Sequence, residues 1–153
     1  MRRAPKGAFL GIKEVGIIIV NSYEHMEQVI PHFRHSALNE TRAKKLWAHL
    51  IDEQLIDSEL TSDDFVYYIC GIGDQPSHKI NWKSSKILLS IYVYEIGDRN
   101  FRPEWCVAEK IINNITASSL RDNHSRPFSK DCSRSFDSFF ENQKRVRSLI
   151  EEL

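Results

Sequence analysis

Most of the chain reads as polar turns separating apolar positions at helical spacing, and one stretch breaks that rhythm. In residues 80–97, INWKSSKILLSIYVYEIG, the apolar Leu88, Leu89, Ile91, Tyr92, Val93, Tyr94 and Ile96 are interrupted only by Ser90 and Glu95. A helix here is apolar around most of its circumference and must be buried on several sides. Ser84 or Ser85 is placed to cap its start, and Gly97 to supply a left-handed residue after its last turn. A strand over residues 90–96 is the rival reading, because Ile, Val and Tyr favour sheets. The cap signals and a span of about a dozen residues favour the helix. This stretch is the expected core, with Lys83 and Lys86 left at its rim.

The flanking elements follow from the same periodicity. After Asn39, ETRAKKLWAHLIDEQLI repeats Ala43, Leu46, Trp47, Leu50, Ile51 and Leu55 on one face, with Arg42, Lys44, Lys45, Asp52 and Glu53 mostly opposite. That is an amphipathic helix. Thr61 and Asp64 form a T-x-x-D capping box ahead of Phe65, Tyr68, Ile69 and Ile72, and Gly71 and Gly73 close that helix. Residues 74–78 read as a loop and 98–102 as a turn, after which Pro103 suits a first helical position. A helix over 104–115 then turns Trp105, Ala108, Ile112 and Ile115 inward. Residues 116–135 are polar with no periodic face. Phe136, Phe139, Phe140, Val146, Leu149, Ile150 and Leu153 mark an amphipathic terminal helix. At the other end, residues 1–8 form a basic tail, Ile17 to Val20 have strand character, and Ser22 is placed to cap a helix that Pro31 ends. The expectation is a mainly α, compact helical domain over 21–153, with a basic tail and minor β element over 1–20.

Composition narrows the function classes. The 153 residues carry 21 basic and 21 acidic side chains. There is no global field to gather nucleic acid or an anionic membrane, and such binding needs a local patch. Cys70, Cys106 and Cys132 are odd in number, widely spaced and without a CxxC pair, which fits a reducing, cytoplasmic setting and buried small hydrophobes rather than a disulfide framework. No stretch reaches the ~18 apolar residues of a membrane span. Lys13 and Glu14 interrupt the apolar N-terminal region, and no A-x-A-like site follows, so export is not expected.

Candidate chemistry is sparse. There is no P-loop, dinucleotide-binding glycine pattern, HExxH or nucleophile elbow. His25, His32 and His35 lack a Cys or carboxylate at ligand spacing, so no metal or cofactor is expected. Asp63 and Asp64 are explained by the first turn of a helix. No catalytic residue is assigned, and the chain is read as a non-enzyme. Cations cluster better: Lys83 and Lys86 lead into the central helix, Arg99 and Arg102 leave it, and Lys144, Arg145 and Arg147 lie on the last helix. Residues 116–135 bring Arg121, Arg126, Lys130 and Arg134 against Asp122 and Asp131, four minus two, or plus two. Such a segment suits a flexible basic wing, since phosphate contacts use mobile Lys and Arg clusters.

Three pieces together carry a resemblance: the Trp47-centred helix running into LIDEQLI, the TSDDFVYYICG box, and I-N-W-K-S-S-K before an apolar helix, with Trp105 beyond. Over residues 39–115 this order resembles small proteins of bacterial conjugative transposons and related mobile elements. More distantly it resembles the C-terminal part of the excision regulator RteC, which has a comparable I-x-W-x-x-S-K segment. The resemblance implies a helical, winged-helix-like, DNA-binding region. Trp82 would then pack at the entry of the central helix, and Ser85 and Lys86 would match the motif's S-K. The expected function is that of a regulatory accessory protein of a mobile element. Lys83, Lys86, Arg126, Lys130 and Arg134 would meet phosphates while Trp47, Trp82 and Trp105 hold the scaffold. The alternative is a protein-interaction module docking through its N-terminal strand or Phe-rich last helix.

Overall fold

The computed structural model describes residues 29–99, 101–125 and 136–153, and the helices below belong to one compact unit, Pro31–Leu153. The basic tail, the strand at Ile17 to Val20, the boundary at residue 20 and the Ser22 cap lie outside the described residues. Among those described there are helices and isolated bridges but no strand, so the fold is mainly α as expected.

Helix α1, Glu40–Asp52, starts where Asn39 Oδ1 accepts the Arg42 N–H at 2.9 Å, and buries Ala43, Leu46 and Leu50. It stops short of the LIDEQLI end that the periodicity predicts. Gln54 takes a left-handed φ of 59°, and the Leu55 N–H donates back to Leu50 O at 2.9 Å. Ile56 is thereby freed to pair antiparallel with Trp82. Helix α2, Ser62–Cys70, is capped by Thr61 Oγ1, which accepts the Asp64 N–H at 3.2 Å, and ends at Gly71 with φ +73°. A Cβ at Gly71 would also meet the His32 ring at 2.5 Å, so glycine is required there twice over. Helices α1 and α2 pack together, with Trp47 Nε1 donating to Leu60 O at 2.8 Å.

Helix α3, Lys86–Ile96, is the predicted core helix. Ser85, rather than Ser84, caps it by accepting the Leu88 N–H. It packs against three later helices and buries Leu89, Ile91, Tyr92, Val93 and Ile96. The expected left-handed role of Gly97 is not observed: its φ is −79°, and Asp98 and Arg99 are left-handed instead. Gly97 is needed for a different reason. A Cβ on it would stand 2.7 Å from Cγ of Glu104, so its bareness lets the next helix approach.

Helix α4, Phe101–Ile111, begins before Pro103, which sits in the first turn where helical N–H groups lack intrahelical partners. It ends earlier than residue 115, because Ile112 leaves it to bridge in parallel with Ile80. Trp105, Ala108, Ile112 and Ile115 are buried as their spacing implies. The polar stretch after residue 115 is not all loop: residues Ala117–Ser125 form helix α5. Thr116 Oγ1 accepts the Ser119 N–H at its start, and Leu120 is fully buried. Helix α6, Phe136–Glu152, packs Phe139, Val146 and Ile150 inward, and α3 lies against α4, α5 and α6.

Residues 80–83, just ahead of α3, are tied on both flanks. The Ile80 N–H donates to Ile111 O and the Asn113 N–H to Ile80 O, both at 2.9 Å. On the other side, the Lys83 N–H donates to Leu55 O at 2.9 Å and the Asp57 N–H to Asn81 O at 3.2 Å. Among the described residues, strand-like pairing is limited to the two bridges Ile56–Trp82 and Ile80–Ile112, and no wing of paired strands occurs there. Residues 126–135, the expected basic wing, lie outside the described residues.

Candidate nucleic-acid interface

The tied backbone of residues 80–83 gives the Lys83 side chain a fixed base. Lys83 is exposed, and Lys86, the first residue of α3, is exposed beside the capping Ser85. No acidic residue occupies the first turn of α3. The positive end of the helix dipole therefore adds to the two ammonium groups instead of being neutralised by a carboxylate. Lys79, also exposed, precedes the same segment and was not singled out by the sequence; its signal was its place one residue before the bridged Ile80. None of the three enters an ion pair among the described residues.

Trp82 braces this edge as expected. Its Nε1 donates to Ser85 O at 2.8 Å, and its ring meets Tyr92 edge-on at 5.7 Å. It thus joins the entry turn to the first buried turns of α3. Trp105 is 3% exposed and also structural, although its Nε1 has no hydrogen-bond partner among the described residues.

The other expected phosphate contacts divide. Arg126, Lys130 and Arg134 lie outside the described residues, so the structure brings together only Lys83 and Lys86 from that set. Two further arginines are paired with a buried carboxylate. Arg147 reaches Glu95, with Nε at 3.1 Å from Oε1 and Nη2 at 2.8 Å from Oε2. Arg99 reaches the same carboxylate at 3.6 Å. Arg147 therefore does not join Lys144 and Arg145, which are exposed on α6. The cysteine expectation is also corrected: Cys106 is exposed and Cys70 half-buried, with Cys132 outside the described residues. Cys106 lies on the outer side of α4, away from the Trp105 and Ala108 positions that fill the core.

At the opposite end of α3 from the two lysines lies a cluster that the sequence does not announce. Glu95, with a side chain only 4% exposed, is balanced by Arg147 and Arg99. Beside it the His124 ring lies 4.3 Å from Tyr94, 5.4 Å from Phe139 and 5.8 Å from Trp105 by ring centres. The His124 Nε2 is buried and, among the described residues, has no hydrogen-bond partner. Burial pushes the imidazole below its usual range, against a weaker upward pull from Glu95. Elsewhere, Glu104 is fully buried and accepts N–H groups from Arg34 and His35 at 3.1 and 3.0 Å, which fastens the lead-in segment to α4.

Among the described residues, no three His, Cys, Asp or Glu side chains gather as a metal site, and no helix is long and apolar enough to cross a membrane. The geometry offers exposed cations at a helix start, which suits holding an anion. Comparison with protein-family models, curated proteins and solved structures gave no match for this chain.

Proposed function

We propose that the protein is a non-enzymatic regulatory or accessory protein that contacts DNA phosphates through the edge carrying Lys83 and Lys86. The observation that carries this reading is the pair of exposed lysines, Lys83 at the end of the tied segment and Lys86 at a helix start free of acidic residues. A backbone held in place spares part of the ordering cost on meeting a phosphate, and the helix N-terminus favours the same anion. The resemblance to mobile-element proteins supports the reading from another side. Its S-K pair falls on Ser85, the cap, and Lys86, the first helical residue. A setting in a mobile element and a cytoplasmic location belong to the same proposal.

Docking on a protein partner through the last helix has less surface to work with, because Phe139 is 2% exposed and Val146 and Ile150 are buried against the core. The N-terminal strand named for the same role lies outside the described residues. The test is binding of a labelled DNA duplex followed by fluorescence anisotropy at about 50 mM salt. Binding that weakens for Lys86→Glu, with the helical circular dichroism unchanged, supports the proposal. Absence of binding by the unaltered protein at that salt contradicts it.

A further inference from the structure

On another part of the surface, a cleft of about 460 Å³ opens between the end of α1, the middle of α3 and the last turns of α6. Its volume falls in the range of roughly 300–1,000 Å³ usual for small-molecule sites. The left-handed turn at Gln54 builds one wall by swinging Leu55 away from the helical path. Leu88, Val146 and Leu149 complete an apolar lining beside the half-buried His49, and Glu53 and Arg145 add exposed, opposite charges. Both charges act on the phenol of Tyr92, which also lines the cleft. Burial, the larger cause, pushes that phenol up to about 12, so it stays a neutral hydroxyl. Arg145 spends one N–H on Asn142 Oδ1 at 2.6 Å within its own helix and keeps further donors.

An apolar lining beside one cation and one anion matches a small molecule with the reverse arrangement. We propose that this cleft binds a free α-amino acid with an apolar side chain. Its carboxylate faces Arg145, its ammonium faces Glu53, and its side chain lies over Leu55, Leu88 and Leu149. A ligand with a carboxylate alone leaves Glu53 unpaired beside a negative charge, and an amine alone leaves Arg145 unpaired beside a positive one. Charge complementarity therefore selects the zwitterion over either half. The site is separate from the lysine edge and does not depend on the DNA reading.

The test is calorimetric titration of the full chain with L-phenylalanine and L-leucine, alongside phenethylamine, 3-phenylpropionate and N-acetyl-L-phenylalanine amide. The expected result is saturable binding of at least one amino acid with Kd near or below about 1 mM. The two single-charge analogues should bind at least about tenfold more weakly, as loss of one charge-assisted contact implies. Arg145→Gln should weaken the amino acid about tenfold without weakening phenethylamine, and Glu53→Gln should weaken the amino acid about tenfold without weakening 3-phenylpropionate. Both side chains are exposed, so neither change threatens folding. Absence of saturable binding by both amino acids overturns the proposal. So does equal binding of the N-acetyl amide, which would mark a groove for an apolar side chain of a polypeptide. Amino-acid binding that both variants leave intact overturns it as well.

Discussion

His124 is where one side chain most clearly links packing to solution conditions. Its ring fills an aromatic gap between Tyr94, Trp105 and Phe139, and its buried Nε2 has no hydrogen-bond partner among the described residues to stabilise an added proton. Burial therefore holds the folded-state value below the unfolded one of about 6.5. Above that pH both states are neutral and stability does not depend on this group. As pH falls through the unfolded value, the unfolded chain gains a proton that the folded one refuses, and stability declines until the folded value is passed. Glu95 moderates the effect, being the charged group that pulls His124 upward. Thermal midpoints measured between about pH 7.5 and 5 should fall more steeply for the natural protein than for His124→Phe. Parallel curves would contradict this role.

The carboxylate beside it makes a second prediction. Arg147→Ala strands a Glu95 that is 4% exposed, and should cost about 2 kcal/mol in chemical denaturation. The loss is smaller than for a fully buried pair, because the Arg147 side chain is 37% exposed and Arg99 remains within 3.6 Å. Arg99→Ala should cost less than about 1 kcal/mol. Equal costs for the two would show that the carboxylate does not distinguish its partners.

At the scale of elements, the helix starts were legible in the sequence because a cap acts over three residues. Asn39, Thr61 and Ser85 each accept the N–H three positions on, and the residue types announce it. The helix ends were less legible. Helix α1 stops at Asp52 and α4 at Ile111 because Ile56 and Ile112 are drawn into bridges with residues 26 and 32 positions away, by difference of the paired numbers 56–82 and 80–112. Local periodicity carries no information about such partners. Helix α5 escaped for another reason. Leu120 and His124 are its inward positions, one turn apart, and a histidine among serines does not register as apolar. Leu120→Ala should therefore cost about 2–5 kcal/mol, since this helix has no other fully buried anchor among the described residues. Gly97 was read correctly as special but for the wrong cause. Gly97→Ala has an acceptable φ, yet its Cβ meets Glu104, so a cost of about 1–3 kcal/mol is expected from the displaced α4. A neutral or stabilising outcome in urea melts would show that α4 can retreat freely.

For the whole molecule, the mainly α class followed from the dominance of 3.6-residue spacing, and the central place of α3 from an apolar surface too broad for a single contact. The candidate interface was half legible. Lys83 and Lys86 are visible as cations beside an apolar run, but the anchoring of the segment that leads into them depends on the Leu55 and Ile111 carbonyls, which lie far away in sequence. Arg99 and Arg147 looked equally available until Glu95 turned out to be buried between them. Charge counting along the chain cannot tell a cation facing solvent from one facing a hidden carboxylate.

The salt dependence of duplex binding tests the central claim most directly, comparing the natural protein with a Lys83→Ala, Lys86→Ala double variant. If both lysines meet phosphates, the logarithmic slope of affinity against salt becomes shallower by about 2 in the variant, with binding weakened for every duplex sequence alike. An unchanged slope, or no binding by the natural protein at low salt, would contradict the account.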